Sequence, residues 1–140
     1  MLRGRTVVPG VVEGEVLVSP ETISGWGGID PATGTIIEAR HPLCGVSFAG
    51  RILVLPSGRG SSSSSSVLAE AIRKGTAPSG ILLERPDPIL AVGAIVAEFL
   101  YAIRMPVVVC DIAGVASGDR IAIGLDADGR AIVSIGRRPA

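Results

Sequence analysis

The segment best equipped for chemistry is a glycine-flanked arginine followed by a run of six serines. Gly58, Arg59 and Gly60 precede the serines of residues 61–66, and an aliphatic segment, residues 52–55, leads into them. Glycine lets the backbone turn tightly and approach a ligand closely. A guanidinium can hold a carboxylate or a phosphate through two parallel hydrogen bonds. These residue types indicate an anion-binding turn.

The serines also stand in front of a predicted helix, residues 67–74. The first N–H groups of a helix have no partner within it, and the dipole adds roughly half a positive charge there. Anions bind at such a terminus. The same field would stabilise a serine oxyanion, and serine needs such help to act as a base or nucleophile. A flexible Gly/Ser linker is the alternative, but a strand leads directly in and a helix leads directly out, which favours a structured turn.

Two familiar reaction types lack support in this segment. The serines do not form the G-x-S-x-G pattern of a hydrolase nucleophile, and no histidine is near them in sequence. The Gly-Lys-Ser/Thr ending of a phosphate-binding P-loop is also missing.

A second group of candidates lies in a glycine-rich stretch. Trp26, Gly27, Gly28 and Asp30 could form a loop that closes on a substrate or packs on a partner. The alternative is an Asp-Pro turn with the tryptophan held on the surface of the domain. The sequence leaves both interpretations open.

The remaining reactive residues favour structural roles. We predict that His41, the lone histidine, makes a structural or partner contact rather than a catalytic one. Cys44 and Cys110 are predicted to be small buried residues. Glu98 is expected on an exposed helix face, and Asp111 is expected to cap or turn the chain after a strand.

The pattern of elements predicts an α/β (α+β mixed) fold in one domain. Strands are predicted at residues 11–18, 35–38, 52–55, 81–83 and 107–110, with a hairpin of residues 120–125 and 130–135. A second helix should begin after Asp87, with Pro88 at its first position, and run to about Ala102. We expect a single domain over residues 1–140, with residues 136–140 as a frayed tail.

Composition excludes several classes of function. The chain of 140 residues has 13 basic and 13 acidic side chains. Of all its residues, 47% are hydrophobic and 3% are aromatic. Zero net charge disfavours a nucleic-acid binder, and the few aromatics cannot form a base-stacking platform. Two cysteines and one histidine cannot supply a four-ligand zinc site or a four-cysteine cluster, so no metal site is predicted. The longest apolar run, residues 89–97, is shorter than a membrane span. We therefore expect a soluble, cytoplasmic protein without a membrane partner.

Several segments, taken in order, resemble the small subunit or swivel domain of the aconitase X family. The matching segments are GVVEGEVLVS at 10–19, WGGIDPATG at 26–34, HPLCG at 41–45, GRILVLPSGRGSS at 50–62, TAPS at 76–79 and GAIVAE at 93–98. Their order and spacing cover nearly the whole chain.

This resemblance implies a swivelling β/β/α domain with a mixed sheet or barrel-like core flanked by helices. It implies docking on a large subunit whose cysteines hold an iron or iron–sulfur centre, which takes a departing hydroxyl; this chain alone would bind no cofactor. By motif position, Ser61 would be the base that removes a proton α to a carboxylate. Gly58, Arg59, Gly60 and Ser62 would bind the small-molecule carboxylate substrate, and the serine run leaves Ser62 and Ser63 as alternative bases. The expected substrate is cis-3-hydroxy-L-proline, with mevalonate 5-phosphate as the alternative.

Two other functions compete with this interpretation. A mobile phosphohistidine carrier domain has a similar helix and strand, but Val92 and Gly93 occupy the positions where carriers have Ser-His. A non-catalytic anion-binding or assembly module fits the Arg59–Ser61 turn equally well on physical grounds.

Overall fold

The computed structural model describes residues 2–24, 28–59 and 63–136. Within these ranges the chain forms eleven strands and two helices. The strands are β1 Leu2–Val8, β2 Val12–Val18, β3 Ile23–Ser24, β4 Ile29–Asp30, β5 Thr35–Ile36, β6 Ile52–Leu55, β7 Gly58–Arg59, β8 Gly80–Leu83, β9 Val107–Val109, β10 Arg120–Leu125 and β11 Ala131–Gly136. The helices are α1 Ser63–Lys74 and α2 Pro88–Tyr101.

Seven of the described strands close into a barrel in the order β1-β11-β10-β2-β6-β8-β9. Strands β1 and β2 are the corners of this barrel. The first half of each pairs with the antiparallel hairpin β10–β11, and the second half pairs with a strand of the parallel sheet. Closure joins the two sheets, so the barrel offers no strand edge for further pairing.

The parallel half of the barrel is buried on both faces. Strands β2, β6, β8 and β9 are parallel neighbours, and α1 and α2 are the crossover helices of β6 to β8 and β8 to β9. Side chains alternate along β6, because Ile52 and Val54 point into the barrel core while Leu53 and Leu55 pack under the helices. Burial on both sides explains why this strand is continuously aliphatic.

Helix α2 begins and ends where its local sequence directs. The Asp87 carboxylate accepts hydrogen bonds from the N–H groups of Ile89 and Leu90, at 2.9 and 3.3 Å, and Pro88 opens the helix. At the other end, Ala102 has a left-handed backbone with φ of 55°. The predicted boundaries of α2 are confirmed.

Helix α1 begins four residues earlier than the hydrophobic pattern predicted, so the serines at 63–66 form its first turn. The side chains of Leu68, Ala71 and Ile72 are buried on the face of α1 that is turned towards the barrel. This helix crosses α2 very closely at Gly93. A Cβ atom at Gly93 would lie 2.8 Å from the Ser65 carbonyl oxygen, so the packing requires glycine.

The predicted fold class is confirmed, with three local differences. Strand β1 was not predicted, and the stretch predicted as turns before Thr35 contains the short strands β3 and β4. Gly136, predicted to belong to the tail, is the last residue of β11 and pairs with Arg120. Residues 137–140 lie outside the described residues.

Candidate functional site

The four parallel strands end level with one another, at one edge of the barrel. In the paired register Val18 stands opposite Val54, and Leu55 stands opposite Leu83 and then Val109. The segments that follow these strands therefore lie side by side. Ligands of parallel α/β sheets bind at this carboxyl edge, so it is where a site should be sought.

Gly58 and Arg59 continue from this edge as the short strand β7. They pair in parallel with Ile23 and Ser24 of β3, which follows β2. The backbone of Arg59 is therefore held in a two-stranded ribbon rather than in an unsupported loop. The predicted base Ser61, together with Gly60 and Ser62, lies outside the described residues.

The first turn of α1 follows directly and contains no acidic residue. Its dipole is therefore not neutralised by a carboxylate within that turn. Ser63 to Ser66 are helical, which excludes the flexible-linker interpretation for this part of the serine run. The N-terminus of α2 opens at the same edge, since it also follows a parallel strand, but Asp87 caps it.

Sequence reasoning did not single out Arg85, which lies at the same edge. This exposed residue follows β8, and its backbone N–H donates to the Pro56 carbonyl oxygen at 3.0 Å. The bond ties the segment after β8 to the segment that carries Gly58 and Arg59. A basic residue two positions after a buried parallel strand, beyond Glu84, is the signal that could have identified it.

Ser19, the residue that follows β2 at this edge, forms a buried contact with His41. The Leu43 N–H donates to His41 Nδ1 at 3.0 Å, so Nδ1 carries no proton and Nε2 carries one. Nε2 lies 3.1 Å from Ser19 Oγ and donates to it, and the Ser19 hydroxyl donates to the Glu21 carbonyl oxygen. All these groups have hydrogen-bond partners and His41 is buried, which agrees with the predicted structural or partner contact.

The glycine-rich candidate loop is described only in part, because Trp26 and Gly27 lie outside the described residues. The Gly28 carbonyl oxygen accepts from the Ile37 N–H at 2.9 Å. The Asp30 carboxylate accepts from the Ala32 N–H at 2.9 Å, which forms the Asp-Pro turn that the sequence suggested. A contact of this loop with substrate or partner stays a prediction.

The two cysteines differ in their environments. Cys44 is exposed, so the prediction that it is buried was wrong: it sits in a surface turn where its N–H donates to the His41 carbonyl oxygen. Cys110 is buried as predicted, and burial with the nearby Asp111 carboxylate raises the pKa of its thiol to about 11. Asp111 turns the chain by accepting from the Ala113 N–H.

Neither a metal site nor a membrane-spanning helix is found in the part of the chain that the structure describes. No group of three His, Cys, Asp or Glu side chains there could hold a metal ion. None of the helices there is long and apolar enough to cross a bilayer.

The burial of Gly93 argues against the function of a phosphohistidine carrier. It stands where a carrier would have its reactive histidine, but here the position is buried against α1, and a Cβ added to it would lie 3.2 Å from side-chain atoms of Leu68. A histidine at this position would have no space and no access to a phosphoryl donor. The fold therefore does not provide carrier chemistry at this point.

The chain is similar to known proteins in both sequence and structure. A family model described as the aconitase X swivel domain matches residues 1–134. The chain is 50% identical over 103 residues to the cis-3-hydroxy-L-proline dehydratase of Pseudomonas aeruginosa, covering 74% of this chain. It is 49% identical over 87 residues to the phosphomevalonate dehydratase small subunit of Methanopyrus kandleri, covering 62% of this chain.

The matched segment is only part of each of these relatives, 18% of the Pseudomonas protein and 64% of the Methanopyrus protein. Among solved structures, the holo-form of Thermococcus kodakaraensis aconitase X superposes with a TM-score of 0.84 at 36% identity. That superposition covers 96% of this chain and 96% of the other.

Proposed function

Because the chain belongs to the aconitase X swivel-domain family, we propose that it is the small subunit of a dehydratase and supplies the base of the reaction. The family match extends over residues 1–134, almost the whole chain. Several relatives are themselves named small subunits of a dehydratase, among them the Methanopyrus protein. A large subunit is accordingly the partner that we propose for this chain.

The observation that carries the proposal is the arrangement at the carboxyl edge. Strand β7 brings the backbone of Gly58 and Arg59 to this edge, and α1 opens there with a first turn free of carboxylates. A guanidinium and the first N–H groups of a helix attract a carboxylate and stabilise negative charge on oxygen. This combination suits both substrate binding and a serine alkoxide acting as base.

We propose Ser61 as that base, with Gly58, Arg59, Gly60 and Ser62 holding the substrate carboxylate. The serine oxygen would take the proton from the carbon α to the carboxylate, and the electron pair of that C–H bond would form the new C=C bond. The hydroxyl on the adjacent carbon would leave and receive the abstracted proton from the serine, which completes a water molecule and regenerates the alkoxide. General-base catalysis of this kind contributes about 10²- to 10⁴-fold to a rate.

An iron or iron–sulfur centre does not fit the described residues of this chain. They contain no group of three potential ligands, and the Cys110 thiol is buried with a raised pKa, which disfavours the thiolate that a metal needs. We propose that the large subunit holds any such centre, and that this chain contributes only substrate contacts and the base.

The substrate that we propose is cis-3-hydroxy-L-proline. The match to the Pseudomonas dehydratase of this substrate extends over 103 residues, against 87 for the Methanopyrus phosphomevalonate enzyme. Mevalonate 5-phosphate is the alternative, since the identities of 50% and 49% are nearly equal. Both molecules present a carboxylate to the same anion-binding edge.

Reconstitution with the large subunit tests the proposal. The chain and the aconitase X large subunit encoded in the same genome are mixed, and turnover of each substrate is measured for the single variants Ser61→Ala, Ser62→Ala and Ser63→Ala. We expect turnover of hydroxyproline by the pair and a loss of about 10²- to 10⁴-fold for Ser61→Ala. Ser134→Ala is the control, since Ser134 is an exposed serine of β11, far from the serine run in the sequence.

The outcomes separate the alternatives. Loss confined to Ser62→Ala or Ser63→Ala would move the base along the run, whereas full turnover in all three variants would exclude a serine base. Binding of substrate without turnover by the reconstituted pair would favour the anion-binding or assembly module.

A further inference from the structure

Helix α2 is apolar on two faces, and only one of them is used by the fold. Its buried face consists of small and aliphatic residues that contact α1 and the sheet: Leu90, Ala91, Gly93, Ala94 and Ala97. A second set of large apolar side chains is exposed at helical spacing: Val92, Ile95, Val96, Phe99 and Leu100. We name this second set the outer α2 face. Residues spaced three and four apart share one side of a helix.

The exposure of this face is too large for an ordinary surface. Phe99 is 88% exposed, Leu100 is 59% exposed and Ile95 is 52% exposed. Scattered apolar residues are normal on protein surfaces, but a contiguous patch of this kind marks an interaction site.

Two carboxylates beside the outer α2 face form ion pairs within the chain. Glu98 binds Arg104 at 2.8 Å, and Glu70 of α1 binds Arg73 at 2.6 Å. The hydrogen bond from Arg73 lowers the pKa of the Glu70 carboxyl, so this pair stays charged and paired. Ion pairs of this kind leave little net charge to attract a nucleic acid or an anionic bilayer. An apolar protein surface is the partner that fits.

The outer α2 face is continuous with the start of α1. Val96 and Leu100 lie across a shallow groove from Ser65 and Ser66, in the first turn of that helix. The close crossing at Gly93 fixes this juxtaposition, because the two helices cannot separate without losing their packing there. A partner that covers the beginning of α1 therefore reaches Val96 and Leu100 across one groove.

We propose that the outer α2 face binds an apolar surface of the dehydratase large subunit, in one interface with the start of α1. The inference rests on the proposed function, which requires a large subunit to complete the site at the carboxyl edge. A few well-buried anchors, often aromatic, carry most of the binding energy of a protein interface. Phe99 is the expected central anchor.

The test compares two variants of the whole chain that remove exposed apolar side chains in different places. The first carries Ile95→Ser and Phe99→Ser in the outer α2 face. The matched control is Val11→Ser, in the connection between β1 and β2, where the side chain is 78% exposed. The affinity of each for the large subunit encoded in the same genome is measured by isothermal titration calorimetry. Thermal unfolding checks that all three proteins are equally folded.

We expect the dissociation constant to rise at least tenfold for the α2 variant and less than twofold for the control. Equal affinities of the wild-type chain and the α2 variant would overturn the docking surface and leave the proposed function intact. A wild-type chain that does not bind the large subunit would overturn the proposed function as well.

Two further measurements exclude other occupants of the face. Sedimentation of the wild-type chain alone should show a monomer; a dimer abolished by Ile95→Ser and Phe99→Ser would assign the face to a second copy and overturn the proposal. Flotation with vesicles of phosphatidylcholine and phosphatidylglycerol should show no binding. Binding lost in the α2 variant would assign the face to a membrane surface, which would also overturn it.

Discussion

His41 Nε2 and Ser19 Oγ lie 3.1 Å apart in a buried contact that ties the loop before β6 to the end of β2. The Ser19 hydroxyl in turn donates a hydrogen bond to the carbonyl oxygen of Glu21, which lies two residues before β3. Strand β3 in turn pairs with β7 and so with the backbone of Arg59. The lone histidine therefore supports the candidate site indirectly, through two short segments of backbone.

Removal of the Ser19 hydroxyl should destabilise the fold. In Ser19→Ala, the buried His41 N–H and the partly buried Glu21 carbonyl group lose their partner. A buried polar group without a partner costs about 1–3 kcal/mol, so we expect the free energy of unfolding in urea to fall by that amount. Ser134→Ala, an exposed serine of β11, is the control and should change it by less than about 0.5 kcal/mol. An unchanged free energy for Ser19→Ala would show that the network contributes nothing to stability.

The second prediction concerns the helix crossing at Gly93. Alanine is a better helix former than glycine by about 1 kcal/mol, so Gly93→Ala should stabilise α2 if propensity decided the outcome. Its Cβ would lie 2.8 Å from the Ser65 carbonyl oxygen, a backbone atom that cannot move freely. We expect overpacking to win and the free energy of unfolding to fall by about 1–3 kcal/mol.

The control for that experiment is Gly124→Ala in β10, where no atom lies within 4 Å of the added Cβ. The free energy of unfolding of both variants is measured by urea denaturation. A stabilised Gly93→Ala protein would mean that the two helices tolerate a wider separation than the structure shows.

Local sequence was sufficient to predict the elements whose boundaries are set locally. The aliphatic run of β6 and the Asp87-Pro88 start of α2 are examples, because a buried strand and an N-cap each have their own residue types. Strand β1 was missed because Arg3, Gly4 and Arg5 obscure its alternation. Its partners, β11 and β9, are about 100 residues or more away in the chain.

The start of α1 was misplaced for a related reason. Serine competes for backbone hydrogen bonds and favours caps over helix interiors, so four consecutive serines do not resemble a helix. Leu68 and Ile72 of α1 pack in the core, and Ser65, in the serine turn, packs closely on Gly93 of α2. Tertiary contacts, which no local pattern encodes, determined this boundary.

The candidate site was predictable only in its components. Residue types predicted an anion site at Arg59 and the serine run, and β7 brings the backbone of Arg59 to the carboxyl edge. The supporting role of Ser19 depends on its contact with His41, 22 residues later in the chain. Cys44 was predicted to be buried because cysteine usually is, but the turn after His41 exposes it.

The third prediction separates the two cysteines by their reactivity. At pH 8, three units below the pKa of about 11 for Cys110, about one in a thousand of its thiols is ionised. Only the thiolate reacts with iodoacetamide, and Cys110 is also shielded, whereas Cys44 is exposed. Intact-mass spectrometry should show one added carbamidomethyl group in the folded protein and two in urea.

Cys44→Ser is the control for the alkylation and should take no label while folded. Rapid double labelling of the folded wild-type chain at pH 8 would contradict the buried, weakly acidic thiol at Cys110. Raising the pH towards 11 should increase labelling of Cys110. Below its pKa, the thiolate fraction rises about tenfold for each unit by which the pH increases.

The last prediction concerns the N-cap of α2, which opens at the carboxyl edge. The Asp87 carboxylate satisfies two N–H groups of the first turn, those of Ile89 and Leu90. Loss of such a cap costs about 1 kcal/mol, so Asp87→Ala should lower the free energy of unfolding in urea by that amount. Asp87→Asn keeps an oxygen acceptor in the same position and should lose less than half as much. Equal losses in both variants would show that the negative charge at the helix N-terminus, rather than the capping hydrogen bonds, stabilises α2.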